Sequence, residues 1–288
     1  MSGDGLLGAA DIRSMAAQLG IKPTKTWGQN FVIDANTVRS IVRMSGVTAD
    51  DDILEVGPGL GSLTLALLPI GKSTTVIEID PALAAQLPKT VGERLPQFAE
   101  RLHVVASDAM KVVELPTAPT ALVANLPYNV SVPVLLHLFT QFPSLTKALV
   151  MVQAEVADRL AAEPGSRTYG VPSVKARWFG DVKKVATIGR NVFWPAPNVD
   201  SALVAIERHA VSPADVSQKE LFACVDAAFS QRRKMLRSAL AQWAGSSAFA
   251  EADLTAAGID PTVRGEQLSV QDFITIVQSK SRREAGEH

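Results

Sequence analysis

The sequence predicts an α/β fold: a mostly parallel, doubly wound sheet followed by a small all-α domain. Three observations support this prediction. Short β-branched runs alternate with helix-like stretches from about residue 51, which is typical of successive βα units. Residues 175–185 and 199–208 read as two further strands and are expected to close the sheet as an antiparallel hairpin. Beyond Ser212 only helix-like segments remain.

The individual elements follow from runs of apolar residues taken in chain order. The predicted parallel strands are DILEVG (52–57), TTVIEID (74–80), LHVVAS (102–107), TALVANL (120–126) and KALVMVQ (147–153). The predicted helices between them are SLTLALLPI (62–70), PALAAQLPKTVGERL (81–95) and SVPVLLHLFTQF (131–142). We therefore divide the chain into an N-terminal helical segment and loop (1–44), the α/β domain (45–209), a helical domain (210–280) and a flexible tail (281–288).

Composition limits the class of protein. Of the 288 residues, 47% are hydrophobic and 20% are charged, as in soluble globular proteins. No apolar run is long enough for a membrane span and no secretory signal is present, so we expect a cytoplasmic protein without a membrane partner. One cysteine and four histidines predict neither a disulfide nor a metal site.

The net charge of -1 does not favour nucleic-acid binding, but the basic residues are clustered. Two lysines precede a glycine-containing loop, and four basic residues fall within one six-residue stretch. These candidate RNA-binding residues are Lys22, Lys25, Arg232, Arg233, Lys234 and Arg237. A solvated helix face is the alternative interpretation of the second cluster.

A glycine loop follows the first strand and opens a helix, which indicates a nucleotide-like ligand. It runs from Glu55 through Gly57 and Gly59. Glu78 ends the next strand, where a carboxylate can accept both ribose hydroxyls, and Asp108 follows the third strand, where it can bind an adenine amine. The GxGxG spacing favours S-adenosylmethionine, while a dinucleotide such as NAD is the alternative.

The fourth strand ends in Asn125-Leu126-Pro127-Tyr128, which suits chemistry on an aromatic amine. The Asn125 side-chain oxygen and the Leu126 carbonyl can accept hydrogen bonds from the amine and aim its lone pair. Pro127 stiffens the turn, and Tyr128 offers a ring on which a flipped base can stack. The alternative is that these residues only serve turn geometry.

Together these motifs resemble the rRNA adenine N6-dimethyltransferase family, most closely its small-subunit, kasugamycin-resistance branch. The resemblance covers nearly the whole chain and also includes Gly28 to Phe31 (GQNF), Phe193 to Ser201 (FxPxPxVxS) and Phe229 to Lys234 (FxxRRK). It implies a Rossmann-like class I methyltransferase sheet and a GQNF loop that closes over the cofactor. The cofactor-binding residues it implies are Gln29, Asn30, Val32, Glu55, Gly57, Gly59, Glu78, Asp108 and Asn125.

The resemblance further implies that Phe193 stacks on the target adenine opposite Tyr128. The expected substrate is a pair of adjacent adenines in the 3′-terminal hairpin loop of 16S rRNA, within the 30S subunit or its precursor. We expect a monomer that does not act on DNA. Three alternatives remain: a large-subunit adenine methyltransferase of the macrolide-resistance type, a DNA adenine methyltransferase, and a non-catalytic assembly or transcription factor on the same fold.

Overall fold

A computed structural model of the chain describes residues 5–21, 30–210 and 216–286. Its contacts form two compact units, Met1–Ala157 with Lys183–Arg208 and Asp158–Val182 with His209–His288. The first is an α/β unit and the second is helical. The helical unit thus includes Asp158–Val182, which the sequence-based boundaries assign to the α/β domain. Those boundaries stay a prediction, because compactness alone does not define a part of the chain that folds by itself.

The described strands form one large sheet and one small sheet. In chain order they are β1 (Phe31–Val32), β2 (Asp52–Val56), β3 (Ser73–Glu78), β4 (Leu102–Ala106), β5 (Ala121–Asn125), β6 (Lys147–Gln153), β7 (Gly180–Ile188), β8 (Phe193–Trp194) and β9 (Ser201–Arg208). The large sheet has the order β4-β3-β2-β5-β6-β9-β7, in which β2 to β6 are parallel and β9 is antiparallel to β6. β1 and β8 pair separately.

The strand order places a crevice at the carboxyl ends of the parallel strands. Strands β3 and β5 lie on opposite sides of β2, so the chain reverses its direction of winding there. In open α/β sheets, ligands bind outside the carboxyl ends of the strands at such a switch point. The five predicted parallel strands are confirmed, and they place their carboxyl ends at this crevice.

The described helices are α1 (Ala9–Gln18), α2 (Ala35–Ser45), α3 (Thr64–Leu67), α4 (Pro81–Arg94), α5 (Ser131–Gln141), α6 (Ala154–Leu160), α7 (Val171–Phe179), α8 (Gln218–Ser230), α9 (Leu236–Ala239), α10 (Ala241–Ala244), α11 (Ser247–Ala256) and α12 (Val270–Ala285). Asp80 caps α4 by accepting hydrogen bonds from the amides of Ala82 and Leu83, which stabilises the helix by about 1 kcal/mol. Pro81 occupies the first turn, as predicted.

One predicted strand is wrong in its first half. Residues 175–179 lie in α7, and β7 begins only at Gly180. The helix begins at a recognisable start: Pro172 lies in its first turn, and the Ser173 hydroxyl accepts a hydrogen bond from the Gly170 amide at 3.0 Å. β9 confirms the second predicted strand, and β7 lies beside it at the edge of the sheet.

The helical unit contains α7 to α12, and no strand follows β9 among the residues described to 286. The described α12 continues to Ala285 and so includes the first five residues of the predicted tail, 281–285. Cys224 is buried in α8, which fits an apolar packing role. None of the described helices is both long and apolar enough to cross a membrane.

Candidate active site

A pocket lies at the carboxyl ends of the parallel strands of the α/β unit. It is lined by residues from β1, the loop after β2, the ends of β3 and β4, and the loop after β5. The lining residues are Asn30, Phe31, Val32, Glu55, Val56, Gly57, Pro58, Gly59, Leu60, Ser62, Leu63, Ile77, Glu78, Ile79, Leu83, Ser107, Asp108, Ala109, Asn125, Leu126, Pro127, Tyr128, Val130 and Val134. The structure therefore brings the predicted cofactor residues and the predicted catalytic tetrapeptide into one pocket.

The glycine loop takes conformations that favour glycine. Gly57, Gly59 and Gly61 have φ angles of 68°, 56° and 97°. A Cβ at Gly59 would lie 2.9 Å from the Phe31 ring, and one at Gly61 would lie 2.6 Å from the Leu87 side chain. At these two positions the glycine is thus required by backbone conformation and by packing, in addition to any approach of a ligand.

Glu78, the last residue of β3, connects that strand to the glycine loop. One of its carboxylate oxygens accepts a hydrogen bond from the Gly59 amide at 3.2 Å, and the other accepts one from the Asp80 amide at 2.9 Å. Burial raises the pKa of this carboxyl. Because each carboxylate oxygen has more than one acceptor direction, both oxygens can still bind hydroxyls in the pocket.

Glu55 is a second buried carboxyl, at the end of β2. It accepts a hydrogen bond from the Thr64 hydroxyl at 2.6 Å. Burial, and to a smaller extent the negative charge of Glu78, raise the pKa of Glu55 to about 8. A cation in the pocket would favour the charged form of both carboxyls.

Ser107 and Asp108 extend the pocket wall beyond β4. The Ser107 amide donates to the carbonyl of Glu78 at 3.0 Å, which continues the pairing of β3 and β4 past their ends. The Asp108 carboxylate accepts a hydrogen bond from the Met110 amide at 2.9 Å and caps a short 3-10 turn. Asp108 thus has a local structural role in addition to its place in the pocket.

Asn125 carries the most unusual polar atom of the pocket. Its amide nitrogen donates to the backbone carbonyl of Asn30 at 3.1 Å. Because a carbonyl only accepts hydrogen bonds, this contact settles which end of the amide is nitrogen and which is oxygen. The side-chain oxygen Oδ1 is buried and has no hydrogen-bond partner among the described residues. A buried unpaired acceptor is costly, so a ligand donor at this point would stabilise it.

The rest of the tetrapeptide is held by the sheet. The Leu126 amide donates to the carbonyl of Met151 at 3.0 Å, which extends the pairing of β5 with β6. Pro127 lines the pocket beside Gly57. The Tyr128 hydroxyl lies 2.6 Å from the Ser201 hydroxyl, and burial raises the pKa of the phenol. Tyr128 therefore keeps its proton and has a fixed partner.

Phe193 does not line this pocket. It lies in β8, is 3% exposed and belongs to the hydrophobic core of the α/β unit, while the neighbouring Trp194 stacks on Phe31. A side chain in this position offers no free face to a base. The stacking role predicted for Phe193 stays a prediction, and it requires the ring to leave the core.

Two of the site residues predicted near the N-terminus line the pocket, and three lie outside the described residues. Asn30 and Val32 line the pocket, and the Val32 carbonyl accepts a hydrogen bond from the Ser62 hydroxyl at 2.8 Å. Lys22, Lys25 and Gln29 lie outside the described residues.

Three residues of the predicted basic cluster lie in the turn that follows α8, whereas the fourth, Arg237, lies in α9. α8 ends at Ser230, and Arg232, Arg233 and Lys234 follow it as exposed residues. Arg232 pairs with Glu266 at 2.8 Å and donates to the carbonyl of Arg167. Arg237 pairs with Glu251 at 3.3 Å. The RNA-binding role predicted for this cluster stays a prediction.

Several pocket residues had no role in the sequence analysis. Ile79, 47% exposed, Ala109, Leu83 and Val134 supply apolar surface. Ile79 and Ala109 could have been found, because each directly follows a predicted acidic residue. Thr64 does not line the pocket, and its contact with Glu55 gave no such signal, since that contact depends on the turn that joins β2 to α3.

Comparisons with known proteins are consistent with this geometry. Residues 21–282 match the family model described as "Ribosomal RNA adenine dimethylase". The chain is 63% identical over 279 residues to "Ribosomal RNA small subunit methyltransferase A" from Streptomyces avermitilis, covering 96% of this chain and 95% of the relative. A protein of the same name from Thermobifida fusca is 60% identical over 276 residues, covering 96% of each.

Solved structures share the architecture. A dimethyladenosine transferase from Plasmodium falciparum superposes with a TM-score of 0.75 and 25% identity, covering 88% of this chain and 97% of that one. The 23S rRNA methyltransferase ErmE gives a TM-score of 0.67 at 23% identity, covering 88% of this chain and all of the other, which shows a shared fold.

Proposed function

The chain belongs to the ribosomal RNA adenine dimethylase family, and from this premise we propose that it dimethylates N6 of two adjacent adenines in the 3′-terminal hairpin loop of 16S rRNA. It is an S-adenosylmethionine-dependent rRNA adenine dimethyltransferase. The small subunit is favoured over the large one because relatives about 60% identical, aligned over nearly their whole length, are named small-subunit methyltransferases. The observation that carries the catalytic assignment is the buried, unpaired Oδ1 of Asn125.

The pocket fits S-adenosylmethionine, which supplies an electrophilic methyl group on a positively charged sulfur. Burial favours the neutral forms of two carboxyls, Glu55 and Glu78, and the positive charge of this cofactor would stabilise their charged forms. The phosphates of a dinucleotide would instead add negative charge beside them. We assign Glu78 to the ribose hydroxyls, Asp108 to the adenine amine and Glu55 to the amino-acid end of the cofactor.

Asn125 would act on the target amine directly. The lone pair of an adenine amine is delocalised into the ring and attacks poorly. A hydrogen bond from N6 to Oδ1 of Asn125 pulls this lone pair out of conjugation, and the contact with the Asn30 carbonyl holds the acceptor in place. The same bond satisfies the buried oxygen, so binding of the amine is favourable for both partners.

Tyr128 would hold the ring of the flipped adenine. It lines the pocket and is partly exposed, which would allow its ring to stack on a base. Pro127 limits the conformations of the turn between Asn125 and Tyr128. No general base is needed before the transfer, because the surplus proton can leave afterwards.

Dimethylation sets a further requirement. After the first transfer, N6 carries one hydrogen fewer, so the amine makes fewer hydrogen bonds in the second round. The stacked ring must then contribute a larger part of the orientation. The reaction also needs the base to leave its stack, at a cost of a few kcal/mol, which is smallest in a single-stranded loop.

The RNA partner and its location are also part of the proposal. The substrate would be 16S rRNA in the 30S subunit or its precursor, bound by a monomer in the cytoplasm. Arg233 and Lys234 are exposed and suited to phosphate contacts, while Arg232 and Arg237 would have to exchange their acidic partners for RNA. Lys22 and Lys25 are proposed on the sequence alone.

The decisive experiment measures the modified nucleosides. Purified protein is incubated with S-adenosylmethionine and unmethylated 30S particles, and the digested RNA is analysed by mass spectrometry. We expect two methyl groups on each of two adenines in 16S rRNA. Only monomethyladenine, or transfer to 23S rRNA instead, would contradict the proposal.

A second experiment tests Asn125. The Asn125→Ala variant should lose transfer by at least about a hundredfold, as expected when a group that stabilises the transition state is removed, yet bind 30S particles normally. Asn36→Ala, at an exposed asparagine of α2, is the matched control and should keep full activity. Equal loss of binding and transfer in Asn125→Ala would make Asn125 a structural residue.

A further inference from the structure

The hydrogen bond between Tyr128 and Ser201 joins two parts of the sequence that are 73 positions apart. The two hydroxyl oxygens lie 2.6 Å apart, and Ser201 is completely buried. Tyr128 lines the pocket, whereas Ser201 does not. Ser201 therefore contacts the pocket only through another side chain.

The sheet explains why these hydroxyls meet. Tyr128 follows the carboxyl end of β5, and Ser201 is the first residue of β9. β6 lies between the two strands, and because β9 is antiparallel to β6, its first residue pairs with Gln153 at the last position of β6. The bond thus passes over the end of one strand, and two strand spacings amount to about 10 Å.

Tyr128 needs such an anchor because its backbone lies outside any helix or strand. Residues 126 and 127 are irregular, and a turn covers 128–130. The turn is closed by a hydrogen bond from the Val130 amide to the Pro127 carbonyl at 3.2 Å, and the Ser131 hydroxyl donates to the Tyr128 carbonyl at 3.4 Å. These contacts hold the backbone of Tyr128 but not its ring. A ring fixed at its Cα by the turn and at its hydroxyl by Ser201 has a defined plane.

We propose that Ser201 is a positioning residue for methyl transfer, which orients the Tyr128 ring for stacking on the target adenine. This inference rests on the proposed function, since it assigns the ring to the base. Stacking holds the amine in line with the methyl group, and a small misplacement of reacting atoms lowers the rate strongly. The effect should be larger in the second transfer, in which the amine has fewer hydrogen bonds.

The test compares Ser201→Ala, Tyr128→Phe and the double variant on unmethylated 30S particles. Each single variant removes one hydroxyl of the pair, and Tyr128→Phe keeps the stacking ring. We expect kcat to fall about three- to tenfold in each, the magnitude of one hydrogen bond. Because both changes break the same bond, the double variant should fall no further than the lower single variant, within about twofold.

Two further readouts separate positioning from general damage. Affinity for S-adenosylmethionine, measured by calorimetry, should stay within about twofold of wild type, and the ratio of monomethyl- to dimethyladenine should rise. Ser73→Ala is the matched control, since Ser73 is also a buried serine whose hydroxyl makes a 2.6 Å hydrogen bond, to Asp52, at the opposite end of the sheet. It should change neither the rate nor the product ratio.

The outcomes distinguish this inference from the proposed function. If the wild-type protein transfers no methyl group to 30S particles, the proposed function itself fails. If the wild type is active but the two single effects multiply in the double variant, or if Ser201→Ala behaves like Ser73→Ala, Ser201 does not act through Tyr128. Parallel loss of cofactor affinity and rate would likewise overturn the inference.

Discussion

Replacement of Glu55 by glutamine should change how the stability of the cofactor-free protein depends on pH. The carboxyl is wholly buried, and its pKa is raised from 4.5 to about 8, mainly by burial. Between these two values the folded protein binds a proton that the unfolded chain does not. The stabilisation from the neutral carboxyl is therefore fully present below pH 4.5 and is lost as the pH rises through 8.

The magnitude follows from the width of this interval. Each pH unit corresponds to about 1.4 kcal/mol, so the 3.5 units between 4.5 and 8 correspond to about 5 kcal/mol. This is an upper limit, because water that enters the pocket weakens the desolvation. Glutamine has nearly the same shape, can still accept the hydrogen bond from Thr64 and does not titrate.

Urea unfolding of both proteins at pH 5, 6, 7 and 8 measures the effect. The free energies of unfolding should agree within about 1 kcal/mol at pH 5, and the Glu55→Gln variant should be more stable by several kcal/mol at pH 8. Glu93→Gln, at an exposed position of α4, is the matched control. Parallel curves for the wild type and Glu55→Gln would refute the assignment of a proton to Glu55.

Three further outcomes are expected. Since a cationic cofactor favours the charged carboxyls, calorimetry should show that affinity for S-adenosylmethionine rises more steeply towards pH 8 in the wild type than in Glu55→Gln, which keeps only the carboxyl of Glu78; equal pH profiles would contradict this. Gly59→Ala should lower the free energy of unfolding by about 1–3 kcal/mol and weaken cofactor binding, because φ is 56° and the added methyl would lie 2.9 Å from a ring of β1. Gly92→Ala, in an open helical position, is its control and should be neutral or stabilising. Asp253→Asn should destabilise the helical unit by about 3–5 kcal/mol in thermal unfolding, because it breaks a pair in which the 1% exposed carboxylate accepts hydrogen bonds from Arg283 at 2.6 and 3.0 Å; an unchanged melting temperature would contradict it.

The parallel part of the fold could be predicted because its strands are buried on both faces. A segment such as KALVMVQ at 147–153 is nearly uniformly apolar, and its central residues are buried in β6. The alternation of polar and apolar residues at the start of the segment 175–185 predicts a strand, but so short a run does not distinguish a strand from a helix. Pro172 and Ser173 were the better guide, because they favour a helix start just before it.

The candidate site could be predicted where its chemistry lies next to a strand end. Glu55, Glu78, Asp108 and Asn125 each follow a parallel strand, and parallel strands share one carboxyl edge. The contacts that hold them could not be predicted in the same way. The partner of the Asn125 amide is a main-chain atom 95 residues away, and such contacts depend on how distant segments pack, which periodicity does not report.

The anchoring of Asn125 by a main-chain carbonyl has a consequence for engineering. Exchange of the side chain at position 30 keeps the main-chain atom that orients the amide, so variants at this position would test the predicted cofactor contact of Asn30 without turning Asn125. Position 125 itself has no such freedom. An aspartate there would place a negative oxygen against the carbonyl of Asn30, and the resulting repulsion would turn the acceptor away from the incoming amine.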